Sequence, residues 1–184
     1  MVRNLDESIV ESCRQWVAKV IVGLNFCPFA KPVVETNRVS YKVINERSLA
    51  HCLMALSDEL TELAANDETE TSLLIYPHGF ESFEDYLDLV DVADALLVDE
   101  GYEGIFQLAS FHPDYCFDGQ KYDDAANYTN RSPYPILHIL REASIEKALE
   151  SIANPEKIPN RNIEFARAKG LEQMQALLKA CRPE

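Results

Sequence analysis

Apolar side chains recur at helical spacing through Ile9, Val10, Cys13, Trp16, Val17, Val20 and Ile21. This predicts an amphipathic helix over residues 6–23, with Asp6 or Ser8 as cap and Gly23 as stop. Val39 to Ile44 alternates apolar and polar residues in a β-rich composition and reads as a strand. Residues 47–65 return to helical spacing through Leu49, Leu53, Leu56, Leu60 and Leu63. The nearly continuous apolar run Ser72-Leu73-Leu74-Ile75-Tyr76 ends in Pro77-His78-Gly79, the pattern of a buried central strand followed by a turn. A third helix is predicted over 82–99, capped by Ser82, with Phe83, Tyr86, Leu87, Val90 and Leu97 on one face. Gly104 to Phe111 and Ile136 to Leu140 read as further strands. Ser144 is placed to cap a short helix, and Ile163 to Cys181 forms a terminal helix after breaks at Pro155 and Pro159.

The alternation of strand and helix favours crossover connections, which need right-handed turns and co-directional strands. The expected architecture is α/β, with about four strands in a mostly parallel or mixed sheet flanked by helices, in a single domain spanning 1–184. Residues 112–134 have no usable period, only turn formers and aromatics, so a long loop follows the third strand. Loops of that length in a compact domain are more often functional than idle.

Composition narrows the function. The chain has 184 residues, 47% of them apolar and 26% charged, with 31 acids against 17 Lys and Arg for a net charge of -14. Residues 48–120 hold no Lys or Arg and 17 acids, a block of -17, while the remainder carries 17 basic residues against 14 acids, or +3. An acidic surface disfavours nucleic acid and anionic membranes as partners, because phosphate binding needs a basic footprint. Glu59, Glu62, Glu84, Asp88 and Asp91 would line the polar faces of the two middle helices, as a solvated surface or as a dock for a basic partner. The flanks keep basic residues for one local anion site. No apolar run approaches the length of a membrane span, and the opening residues lack the pattern of a secretory leader. The five cysteines are dispersed and odd in number, which points to a reducing cytoplasm and away from a disulfide framework or a glycosylated Asn127-Tyr128-Thr129 sequon.

In a parallel sheet, ligands settle beyond the carboxyl ends of the strands. His78 and His112 both follow predicted strands there. His112 suits general acid or base work, oriented by Asp114 or Asp118. If Phe111-His112-Pro113-Asp114-Tyr115-Cys116-Phe117-Asp118 stayed extended, His112, Asp114, Cys116 and Asp118 would share one face as metal ligands, but proline opposes that and the spacing matches no strong zinc pattern. Cys27 sits in an aromatic loop beside Lys31, a candidate nucleophile or a buried structural thiol. Asn127-Tyr128-Thr129-Asn130-Arg131-Ser132-Pro133-Tyr134-Pro135 sets amides, hydroxyls and a guanidinium in a proline-stiffened stretch, suited to a carboxylate or phosphate. His138 and His51 read as structural.

Together, Asn25-Phe26-Cys27-Pro28-Phe29, Phe111-His112-Pro113, the string from Asn127 to Pro135, and His138-Ile139-Leu140-Arg141-Glu142 resemble the domain of unknown function 1415 family over nearly the whole chain. The resemblance implies a bacterial-type, single-domain cytoplasmic protein with no established activity. It draws attention to Cys27, Pro28, His112, Asn127, Asn130, Arg131, His138 and Arg141. At Cys116 the chain departs from the family pattern, where glutamine is usual, which weakens the metal reading.

The combined expectation is a small-molecule enzyme, a hydrolase or group transferase acting on an anionic metabolite. His112 and Cys27 would carry the chemistry, while Arg131, Asn130, Asn127, Arg141, Lys31 and Ser132 would hold the substrate. No cofactor or metal is assigned. The alternatives are a noncatalytic adaptor docking a basic partner through its acidic helices, and a metal-assisted hydrolase.

Overall fold

Four strands form one mixed sheet in the order β1-β2-β4-β3, comprising β1 (Val39–Val43), β2 (Thr71–Ile75), β3 (Phe106–Phe111) and β4 (Ile136–Arg141). The computed structural model describes residues 4–182; Met1, Val2 and Arg3, which open the segment expected to lack a leader, lie outside them. β1 pairs parallel with β2, whereas β4 runs antiparallel to both β2 and β3. Thus β1, β2 and β3 point the same way, and β4 is inserted in reverse between the last two. Of the two sheet types expected, mixed is the one formed. The long loop after β3 returns to the sheet at the end where β3 leaves it, so the strand it feeds must run backwards.

The helices are α1 (Leu5–Trp16), α2 (Ala30–Glu35), α3 (Leu49–Ala65), α4 (Phe83–Asp99), α5 (Glu142–Leu149), α6 (Ile158–Lys169) and α7 (Leu171–Lys179). β2 and β4 are central, so their alternating side chains supply two cores. Leu73, Ile75 and Ile136 pack with Ile9, Cys13, Trp16, Val20, Ala166 and Met174. On the other face, Leu74, Tyr76, Leu137 and Ile139 pack with Leu56, Leu60, Tyr86, Leu89 and Leu97. Ser48 and Ser82 cap α3 and α4, each accepting a backbone N–H from three residues ahead.

Several local expectations are revised. The first helix starts beyond Asn4 with no side-chain cap, and from Val17 to Val22 its turns widen to π spacing. Gly23 follows that stretch in right-handed helical geometry, where a Cβ would overlap the Lys19 carbonyl oxygen, and the left-handed residue of this turn is Asn25 at φ 55°. α2 begins in the aromatic loop around Cys27 and continues through residues 32–35, for which the sequence pattern predicts no element. α5 begins directly out of β4 with Arg141 as its cap residue, which leaves Ser144 inside the first turn. The terminal helix is two helices. Pro159 falls in the first turn of α6, where a missing N–H costs nothing, and Gly170 at φ 90° separates α6 from α7. Glu59 is not solvated: it is 2% exposed and pairs with Lys42 of β1, which also reaches Glu62 at 2.5 Å.

Candidate functional site

Val43, Ile75, Ile136 and Phe111 lie level across the sheet, so the carboxyl ends of β1, β2 and β3 and the start of β4 share one edge. Pairing runs past the regular strands there. Tyr76 N–H donates to the Pro135 carbonyl at 2.9 Å, His112 N–H to Asn130 O at 3.2 Å, and Ser132 N–H to His112 O at 3.4 Å. Residues 130–135 are therefore an irregular continuation of β4 between the ends of β2 and β3. Pro133 and Pro135 have no N–H to give, which ends the ladder. Outside it opens a cleft of about 290 Å³ lined by Pro77, Glu81, His112, Pro113, Pro133, Tyr134, Pro135 and Arg182.

His112 forms part of that wall, yet its residue surface is fully buried. Its Nδ1 accepts the Asp114 N–H at 3.0 Å, so Nε2 carries the proton that reaches Phe80 O at 2.9 Å. Phe83 and Tyr86 enclose the ring at centroid distances of 5.3 and 5.0 Å. Desolvation pushes its pKa down, against the opposing pull of Phe80 and Asp114. Protonating Nδ1 would also break the Asp114 bond. His112 is thus a neutral imidazole joining the turn after β2 to the turn after β3. The same turn ends the extended arrangement that would have aligned His112, Asp114, Cys116 and Asp118, and no group of three or more His, Cys, Asp or Glu among the described residues is placed to hold a metal ion.

The polar string from Asn127 to Ser132 holds the loop together. Asn127 is fully buried, donating to Lys121 O at 2.8 Å and Tyr122 O at 3.2 Å and accepting Phe117 N–H at 3.1 Å. Arg131 donates to Tyr115 O at 3.0 Å and Tyr122 O at 2.8 Å, with its guanidinium 4.4 Å from the Tyr122 ring and 4.7 Å from that of Tyr128. Asn130 donates to Ser110 O at 3.2 Å, and Ser132 Oγ to Tyr134 O at 2.5 Å. Trp16 Nε1 reaches the Arg131 carbonyl at 3.0 Å, which ties the loop to α1.

The remaining candidates are scattered. Cys27 packs at the rim of the α1 core, while His112 stacks on α4. Burial pushes the Cys27 thiol up, partly offset by the N–H groups of Phe29 and Ala30. Lys31 is exposed and pairs with Glu35 at 3.8 Å. Arg141 ends β4 at the opposite edge of the sheet, about 17 Å away at 3.4 Å per residue. It donates to Leu63, Asn66 and Thr69 carbonyls at 2.6, 2.9 and 3.0 Å and so closes the C-terminus of α3. His51 bonds the cap residue Ser48 at 2.7 Å, and His78 lies half-buried on the turn after β2.

Glu81 and Arg182 line the cleft but were absent from the sequence-based candidates, and Tyr134 was included only within the string from Asn127 to Pro135. The signal available was Pro77, Pro113, Pro133 and Pro135, which abut strand ends on one edge. Tyr86 braces that edge from beneath, its hydroxyl donating to Ile136 O at 2.6 Å and accepting Phe111 N–H at 3.0 Å. Tyr86→Phe strands both backbone groups and should cost about 1–3 kcal/mol. Urea unfolding should show a lower midpoint at an unchanged slope; an unmoved midpoint would mean that water replaces the hydroxyl.

A family model described as "Protein of unknown function (DUF1415)" matches residues 8–176. No curated protein and no solved structure matches the chain.

Proposed function

The chain belongs to the DUF1415 family of proteins of unknown function, which lends it no chemistry, and we propose from its own residues that it binds a small anionic metabolite in the cleft beyond β1, β2 and β3. Arg182 carries this reading. Arg182 lines the cleft, with its guanidinium 6.0 Å from the Tyr134 ring and one N–H engaged by Pro133 O at 2.6 Å. A guanidinium has five N–H donors in a fixed fork, so one anchored donor orients the others for an anion. The proline walls are rigid before the ligand arrives, which lowers the entropic cost of binding. Asn127, Asn130, Arg131 and Ser132 act in this proposal as positioning residues that shape the loop. His112 forms the wall; acid or base work by it, as a hydrolase or group transferase needs, would first require a ring nitrogen to leave Phe80 O or Asp114 N–H.

The test is a thermal-shift panel of carboxylates, phosphates and uncharged analogues on wild type and Arg182→Gln. At ten times its Kd, an anion that binds the native state should raise Tm by about 3–5 °C. The shift should vanish in the variant. An identical response from Arg182→Gln would overturn the reading.

A second reading, an adaptor docking a basic partner, draws on Met54, Leu87, Val92 and Val98, which are exposed among the acids of α3 and α4. It requires binding to that face that weakens steeply with salt.

A further inference from the structure

We infer that the cleft takes a zwitterion with an apolar body, of the size of an α-amino acid, with Arg182 facing the carboxylate and Glu81 the ammonium group. This deepens the anion-binding proposal and rests on it. Among the described residues two charged side chains line the cleft, and they have opposite signs. Neither has the other as a partner. Arg182 is anchored on Pro133 O and Tyr134, while the positive charge acting on Glu81 is that of Arg47, which lies outside the lining. The Glu81 carboxylate is oriented by the Gly79 N–H, which reaches its Oε2 at 3.1 Å, and Gly79 is held at φ 90° against the Arg47 backbone. Its own and the Gly79 N–H groups lower the Glu81 pKa, so at neutral pH, where an aliphatic amine is protonated, it is ionised.

The rest of the lining is Pro77, Pro113, Pro133, Pro135, Tyr134 and the neutral His112. Such a wall accepts an aliphatic or aromatic body and offers no second cation. A phosphate or dicarboxylate would meet one guanidinium and one carboxylate, a poor match for a dianion. A ligand bearing one charge of each sign leaves neither protein charge unpaired. The volume of about 290 Å³ lies at the small end of ligand sites, which run to about 1,000 Å³, so the occupant is a single amino acid or a similarly small amine carboxylate.

Calorimetric titration with three matched probes tests this: L-phenylalanine, 3-phenylpropanoate, which lacks the amine, and 2-phenylethylamine, which lacks the carboxylate. L-leucine with its corresponding acid and amine supplies an aliphatic series. The amino acid should bind at least roughly tenfold more tightly than either half. Glu81→Gln should weaken the amino acid roughly tenfold and tighten 3-phenylpropanoate, which then meets no second carboxylate. Arg182→Gln should weaken both carboxylates. Urea midpoints equal to wild type would establish that the variants are folded. If 3-phenylpropanoate binds as tightly as L-phenylalanine and Glu81→Gln changes neither, the zwitterion inference fails while the anion reading stands. If no carboxylate binds, or Arg182→Gln binds them as wild type does, both fail.

Discussion

Replacing Arg131 with alanine is expected to lower unfolding free energy by about 3–5 kcal/mol and Tm by about 6–20 °C at this chain length. The side chain is 4% exposed and joins three parts of one loop, through bonds to Tyr115 and Tyr122 carbonyls and through the rings of Tyr122 and Tyr128. Each charge-assisted bond contributes about 1.5–3 kcal/mol and each cation–π contact about 0.5–2, with water recovering part of the sum after truncation. Arg131→Lys should rescue little. An ammonium keeps the charge but cannot lie flat between two rings while donating along two fixed directions. Chemical denaturation measures the loss, and limited proteolysis should show new cleavage within residues 113–124. Wild-type stability in Arg131→Ala would show that the guanidinium does not build the loop, and would return it to the role of a ligand anchor.

Helices α3 and α4 were legible to within two residues, because a leucine-rich stripe, joined at Ser82 by a serine cap, is a local signal that agrees with the tertiary structure; the cap of α3 at Ser48 was not read. The strands were legible for the same reason. The reversal of β4 was not, since apolar runs such as Ile136-Leu137 read alike in either direction. The break at Gly170 was hidden because the apolar spacing of α6 resumes in α7, so the periodicity continues across a backbone that does not.

Residue type also marked the loop from Asn127 to Pro135 without showing what its groups bond. The donors that suit a carboxylate equally suit the carbonyls of Tyr115, Lys121 and Tyr122. Which of them they meet depends on how the preceding residues turn, a long-range property absent from the motif itself. Arg141 illustrates the same point: neighbouring the motif in sequence, it works at the far edge of the sheet. Arg182, distant from the motif, reaches the cleft because Ser12 Oγ holds the Cys181 carbonyl at 2.7 Å and fixes the end of α7 against α1.

The second large effect concerns pH and His138. Its Nε2 lies 2.6 Å from Thr71 Oγ1, and that hydroxyl gives its own proton to Ile139 O at 2.5 Å, so Nε2–H must be the donor to Thr71. Burial pushes the pKa of His138 down to about 4, against about 6.5 in an unfolded chain. The fold therefore favours the neutral ring. Between these values the unfolded chain binds more protons, and stability falls as pH falls. The contribution is fully present above about pH 6.5 and lost progressively down to about pH 4, where the loss reaches roughly 3 kcal/mol. His112, also lowered by desolvation, adds in the same direction. The acidic surface opposes them, because protonating the exposed acids of residues 48–120 relieves repulsion. The difference between wild type and His138→Asn isolates the histidine. In urea titrations at pH 7.5 and 4.5, wild type should lose more stability than the variant, by about 2–3 kcal/mol. Parallel losses in the two proteins would show that His138 titrates in the fold as it does in the unfolded chain.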